Sequence, residues 1–130
     1  MSTGPFNLFA RLRSFTHAIR GIGVMFSTQH NAWIHLLAIV LVVLLGFYTK
    51  LNLHEWIFIA LAVGLVLVAE LANTAIEFLG DAVSREQNEH IKNAKDIAAG
   101  AVLVAAIVAV IIACLIFIPK ITTTLGFCTA

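Results

Sequence analysis

The feature that most constrains this chain is a run of 22 residues without a charged side chain, from Ile97 to Ile118. As a helix, a run of that length spans the ~30 Å hydrocarbon core of a bilayer. Two further apolar runs occupy residues 32–48 and 56–69. The chain is 61% hydrophobic with a mean hydropathy of +1.00, well above the level of a soluble domain. The sequence therefore predicts an all-α membrane protein with three transmembrane helices.

An amphipathic segment at residues 5–28 precedes these runs. Its apolar side chains recur every three or four residues, and Arg13, His17 and Arg20 fall on the opposite side of the helix. Beside membrane spans, such a helix is expected to lie in the bilayer surface. The three spans are predicted at 32–48, 56–80 and 97–118.

The remaining segments are predicted to be polar connections and a tail. Residues 84–93, SREQNEHIKN, are expected to form a loop or a short exposed helix. Pro119 and Lys120 are expected to end the last span, because proline cannot donate a helix hydrogen bond. Residues 1–120 then form a single domain, and residues 121–130 form an exposed tail.

The distribution of positive charge predicts the orientation. Six of the eight Lys and Arg residues lie at the N-terminus or between the last two spans, and only Lys50 and Lys120 lie on the other side. The positive-inside rule places the N-terminus in the cytoplasm and the C-terminus outside. The sequence has no basic run that could bind a phosphate backbone, so no nucleic-acid partner is expected.

A row of polar side chains continues the second span. Glu70, Asn73, Glu77 and Asp81 are spaced 3, 4 and 4 residues apart, so they fall within about an 80° arc of one helix. A carboxylate near the centre of a membrane helix costs ~2.5–3.5 kcal/mol. An interhelical hydrogen-bond seam or a protonated Glu would explain one such residue. Two Glu and an Asn on one face favour a functional site.

The residue types indicate what that site could bind. Carboxylate and amide oxygens are the donors that hold Mg²⁺ together with substrate phosphates. Lys95 and Asp96 begin the third span at the same level, and they offer a cation for phosphate oxygens and an acceptor for a sugar hydroxyl. The sequence contains no P-loop and no glycine-rich kinase loop, so a nucleotide site here would be of another kind.

These motifs resemble a known family. AELANTAIEFLGDAV at 69–83, followed by AKDIAAGAVLVAAIVAVI at 94–111, is similar to the prokaryotic diacylglycerol kinases, a family that includes the undecaprenol kinases. The resemblance covers about residues 12–118. It implies a homotrimeric, three-span enzyme of the bacterial inner membrane that transfers the γ-phosphate of MgATP to a lipid hydroxyl, of diacylglycerol or undecaprenol, at the cytoplasmic face.

The resemblance also implies a role for each polar residue of the second span. Glu70 matches the general base that takes the proton of the lipid hydroxyl. Glu77 matches a Mg²⁺ ligand, and Asn73 matches a contact to the ATP phosphates.

Three further residues match the family's nucleotide contacts. Lys95 corresponds to the contact with the phosphates, Asp96 to the residue that holds the ribose, and Asp81 to a position near the nucleotide.

One position departs from the family pattern. Where the family has a metal-binding Glu before the first span, this chain has Gln29, which keeps an oxygen donor but carries no charge. Two alternatives to a fully active kinase therefore stay open. One is a kinase weakened or inactivated by Gln29, and the other is a small proton-coupled transporter that uses Glu70 and Glu77 as a relay.

Overall fold

The computed structural model describes residues 8–83 and 88–124, which form four helices and, within those ranges, no strand. The helices are α1 (Leu8–Thr28), α2 (His30–Tyr48), α3 (Leu53–Val83) and α4 (Glu89–Thr124). α2, α3 and α4 are long and apolar enough to cross a membrane. The predicted all-α membrane fold is therefore confirmed.

One residue separates α1 from α2. Gln29 has an extended backbone, with φ −107° and ψ 112°, so the chain changes direction there. The corner is held by Trp33, whose indole N–H donates to the carbonyl of Phe26 at 2.9 Å while the two rings meet edge to face. Phe15 and Ile19 on α1 are exposed. An apolar face left uncovered in this way fits a helix that lies in the membrane surface.

A compact turn joins α2 to α3. The Leu51 N–H donates to the Gly46 carbonyl and the Lys50 N–H to the Phe47 carbonyl, so α2 ends in a Schellman motif. Lys50 takes the left-handed conformation that this motif requires, with φ 52°. α3 then starts with a capping box, in which the Asn52 side chain accepts from the Glu55 N–H and the Glu55 carboxylate accepts from the Asn52 N–H.

α3 and α4 pack against each other more extensively than any other pair of helices in the described chain. Near the start of α3, Leu51, Ile59 and Phe117 form a buried apolar cluster. Lys120 lies 3.0 Å from Glu55 and ties the end of α4 to the first turn of α3. At the opposite end of the pair, the Asn88 side chain caps the start of α4 by accepting from two backbone N–H groups.

The expectation that the last helix stops at Pro119 and Lys120 is wrong, because α4 continues to Thr124. Pro119 is exposed, so its ring faces no neighbouring helix, and the missing N–H removes a single backbone bond. Lys120 pairs with Glu55, and Ile121 packs against the buried cluster, so tertiary contacts carry the helix past the proline.

The other boundaries shift less. Residues 89–93 of the predicted loop belong to α4, and 81–83 still belong to α3. Residues 84–87, and 125–130 of the predicted tail, lie outside the described residues.

Candidate functional site

The buried polar side chains of the described residues all lie on one face of α3. They are Glu70, Asn73 and Thr74, and Glu70 is only 2% exposed. The Thr74 hydroxyl donates to the Glu70 carbonyl at 2.8 Å, which satisfies that hydroxyl without using the carboxylate. The polar row thus has an inner end at which a carboxylate and an amide are enclosed by other helices.

The Glu70 carboxylate faces a histidine of α2. Its Oε1 lies 2.9 Å from Nε2 of His35. The two atoms are within ion-pair distance but do not form a directed hydrogen bond, and Oε1 has no other hydrogen-bond partner among the described residues. Sequence reasoning did not assign His35 to the site, because its spacing within α2 gives no information about the facing helix.

The Glu77 carboxylate lies between two amides. The Asn73 side chain donates to Oε1 at 3.2 Å, and the Gln29 side chain donates to Oε2. Gln29 does not cap α2 with its side chain, since it makes no cap hydrogen bond there. The break between α1 and α2 therefore brings Gln29 to the α3 row, and these three predicted site residues lie together.

The oxygen atoms of Glu77 and of the two amide side chains beside it are of the type that binds a hard cation. Asn73 Oδ1 is buried and has no hydrogen-bond partner in the described structure, so one acceptor oxygen of this group is unused. A single carboxylate with amide oxygens suits Mg²⁺, which keeps several water and phosphate ligands. The described residues contain no cluster of three His, Cys, Asp or Glu side chains that would hold a metal by themselves.

At the exposed end of the row, Lys95 of α4 reaches Asp81 of α3, with Nζ 2.5 Å from Oδ1. Gly80 makes this approach possible, because a Cβ at that position would lie 2.7 Å from Lys95 Cε and 3.0 Å from Ile91 Cγ2. Asp96 is exposed next to Lys95. The structure thus brings Asp81 and Lys95 together, and Gly80 is a second site feature that sequence reasoning missed.

An apolar cleft of about 150 Å³ lies between α2, α3 and α4. Small residues line it on all three helices, among them Ala38, Ala62, Ala106 and Ala109. His35 is the only polar lining residue of this cleft, and its imidazole also lies against Glu70. The apolar lining suits a hydrocarbon chain, and His35 links the cleft to the Glu70 carboxylate.

Taken together, the helices and the buried row define a helical membrane protein with a buried polar cluster on α3. The model of the family described as prokaryotic diacylglycerol kinase matches residues 16–117 of this chain. The chain belongs to the prokaryotic diacylglycerol kinase family. This membership confirms the predicted enzyme class, a lipid kinase.

Individual relatives agree with the family. The undecaprenol kinase of Bacillus subtilis is 43% identical over 108 residues, which cover 83% of this chain and 88% of that protein. The diacylglycerol kinase of Synechocystis is 40% identical over 109 residues, covering 83% of this chain and 62% of that protein. The diacylglycerol kinase of Escherichia coli is 31% identical over 109 residues, covering 78% of this chain and 89% of that protein.

Proposed function

We propose that this protein is an ATP- and Mg²⁺-dependent kinase that phosphorylates the hydroxyl of diacylglycerol or undecaprenol at the cytoplasmic face of the bacterial inner membrane. The observation that carries the proposal is the gradient along α3, on which a buried Glu70 is followed by a half-buried Glu77 and an exposed Asp81. An apolar acceptor and a charged nucleotide would meet along such a row.

The depth of the row supports this arrangement. With Trp56 at one interface, a rise of 1.5 Å per residue places Glu70 roughly 21 Å and Glu77 roughly 32 Å along α3. A hydrocarbon core of ~30 Å then contains Glu70 and leaves Glu77 at the far interface. The acceptor hydroxyl would approach Glu70 from the lipid, and the nucleotide would approach Lys95 from water.

The chemical step assigned to this chain is a proton transfer coupled to phosphoryl transfer. The Glu70 carboxylate accepts the proton of the acceptor hydroxyl, the freed oxygen forms a bond to the γ-phosphorus, and the bond from that phosphorus to the β-phosphate oxygen breaks to release ADP. Lys95 offers a point charge for the phosphate oxygens, and Asp96 and Asp81 offer acceptors for the nucleotide.

Mg²⁺ would be held by Glu77, Asn73 and Gln29. When bound beside the phosphates it neutralises charge that develops during transfer. Asn73 Oδ1 is the acceptor left without a hydrogen bond, and it supports this assignment most directly. Gln29 and Asn73 now donate N–H groups to Glu77, so metal binding beside Glu77 would require both amides to turn their oxygens toward the ion.

A weakened kinase is the second candidate, and a specific contact favours it. Gln29 supplies a hydrogen-bond donor to Glu77 where the family pattern described above has a second carboxylate. A metal site with one carboxylate attracts Mg²⁺ less strongly than a site with two. The transport alternative gains no support from the fold or from family membership.

A homotrimer is part of the proposal, and two features of the chain support it. α2 makes few contacts with α3, and many of the apolar residues of α2, such as Leu37, Leu41 and Leu44, are exposed. The nucleotide-facing residues Asp81 and Asp96 are also exposed, so a neighbouring copy would be needed to enclose them.

The acceptor is proposed as a class. The relatives compared include both an undecaprenol kinase and diacylglycerol kinases at similar identity, and the apolar cleft accommodates one hydrocarbon chain of either lipid. Offering both lipids to the same preparation separates them.

The test is phosphate transfer from radiolabelled ATP to lipid by purified protein in mixed micelles, with and without Mg²⁺. We expect labelled lipid phosphate from the parent or from Gln29→Glu, and none from Glu70→Gln in either background. If neither the parent nor Gln29→Glu labels either lipid in the presence of Mg²⁺, the kinase proposal is wrong. If Gln29→Glu alone is active, the weakened-site candidate is correct.

A further inference from the structure

We propose that His35 is a positioning residue for Glu70. Its imidazole holds one carboxylate oxygen from the α2 side, so that the other oxygen is presented to the acceptor hydroxyl. This inference rests on the proposed role of Glu70 as the general base.

The first support is the geometry of the pair. Glu70 Oε1 lies 2.9 Å from His35 Nε2, and the side chains are 2% and 20% exposed. No other polar atom of the described residues bonds to Oε1. A small rotation of the imidazole would turn this close contact into a hydrogen bond. His35 is thus the partner that the structure provides for this buried oxygen.

The second support is the surroundings of the histidine. Between its two terminal residues, His30 and Tyr48, α2 contains no ionisable side chain except His35. The cleft against which His35 lies is otherwise lined by apolar side chains such as Ile39, Val66 and Val110. A leucine would fill this position with no polar group to satisfy, so packing alone does not explain an imidazole here.

The chemistry of the pair follows from the donor. An imidazole Nε2–H that donates to Oε1 fixes the rotation of the carboxylate. The second oxygen then stays available to the hydroxyl. The histidine itself transfers no proton in this scheme, and it touches neither the nucleotide nor the metal ligand Glu77.

A set of substitutions separates positioning from packing. His35→Leu removes the donor and keeps the bulk, whereas His35→Gln keeps an N–H of similar reach. His54→Gln is the matched control, because His54 is exposed in the first turn of α3, at the opposite end of that helix from the polar row. The background is the parent, or Gln29→Glu if the parent activity is low.

We expect His35→Leu to lower kcat on the order of 10- to 100-fold, the range seen when the partner that orients a functional group is removed. KM for ATP should stay within about twofold, because nucleotide binding is untouched. His35→Gln should recover most of the loss, and His54→Gln should match the parent. An unchanged kcat in His35→Leu, or a loss in His35→Gln as large as in His35→Leu, would overturn the proposal.

A second measurement does not depend on kinase activity. In protein with ¹⁵N-labelled histidine, we expect the His35 Nε2 resonance to shift in Glu70→Gln while the His54 resonance stays in place. A His35 resonance that is insensitive to Glu70→Gln shows that the contact is absent and overturns the positioning role. If that resonance responds but no form of the protein phosphorylates lipid, the proposed function has failed and the contact stands without it.

Discussion

Gln29 donates its side-chain amide to Oε2 of Glu77, and this bond joins the break between α1 and α2 to the polar row of α3. The bond satisfies a carboxylate oxygen while no cation is present. It also places an amide, and not a second carboxylate, beside the carboxylate proposed to bind Mg²⁺. The same contact therefore stabilises the metal-free protein and limits the proposed site.

Gln29→Glu is expected to lower the stability of the protein without Mg²⁺ and to strengthen Mg²⁺ binding. Without Mg²⁺ the variant should be less stable than the parent, because it loses a hydrogen bond to a charged group worth about 1.5–3 kcal/mol and places two carboxylates together. With Mg²⁺ it should gain more stability than the parent gains, because a ligand that binds the folded state more tightly stabilises that state more. Thermal unfolding in detergent across a Mg²⁺ titration measures both effects. Gln29→Ala is the control, and an equal Mg²⁺ response in all three proteins would contradict the expectation.

Lys95→Met is expected to raise KM for ATP about tenfold or more, because it removes the charge proposed to bind the phosphates. The free energy of unfolding should change by less than about 1 kcal/mol, since Lys95 pairs with an Asp81 side chain that is 72% exposed. Lys92→Met makes the same change at an exposed position one turn earlier on α4. Initial rates at varied ATP check this prediction, and equal KM values for the two variants would refute it.

Gly80→Ala is expected to separate activity from stability. The new Cβ would lie 2.7 Å from Lys95 Cε, so the end of the lysine side chain must shift, and we expect KM for ATP to rise several-fold. The gain in helix propensity of about 1 kcal/mol offsets the crowding, which leaves the melting temperature nearly unchanged. Gly64→Ala is the matched control on α3, because nothing lies within 4 Å of its added Cβ. A parental KM in Gly80→Ala would show that Lys95 does not act from this position.

Gly46→Ala is expected to destabilise the protein by about 1–3 kcal/mol. The added Cβ would lie 2.7 Å from Trp56 Cη2 and 3.0 Å from Leu51 Cδ1, and both side chains belong to the crowded turn between α2 and α3. Denaturation in detergent measures the loss, with Gly64→Ala again as the control. Equal stability of the two variants would mean that the indole moves aside at little cost.

The helices and the polar row can be predicted from the sequence, because each depends only on run length or on the spacing of nearby residues. Apolar runs of membrane length predict spans, and spacings of 3 and 4 residues place Glu70, Asn73 and Glu77 on one face whatever surrounds them. The contact between Gln29 and Glu77 could be anticipated only as a family position. Its geometry depends on a single extended residue that no propensity indicates.

The errors arose where one helix meets another. The sequence does not assign His35 to the site, because its partner belongs to α3. The sequence of one membrane helix does not determine which residues of another helix it faces. Local sequence predicts a helix end at Pro119, but Glu55 and the buried cluster near Phe117 contact the residues that follow it, and α4 continues. In both cases tertiary contacts between helices decided the outcome.

The Schellman turn at Lys50 has a mechanical consequence for residues far from it. α2 is connected to α3 at this turn and makes few other contacts with it. A change in the tilt of α2 about the turn therefore displaces the far end of α2. Gln29 lies roughly 31 Å from the turn, and a one-degree tilt of α2 moves it by about 0.5 Å. Displacements of 1 Å at a reacting group can cost about 100-fold in rate. A small change at this turn would therefore shift Gln29 and His35 relative to the α3 carboxylates that they contact.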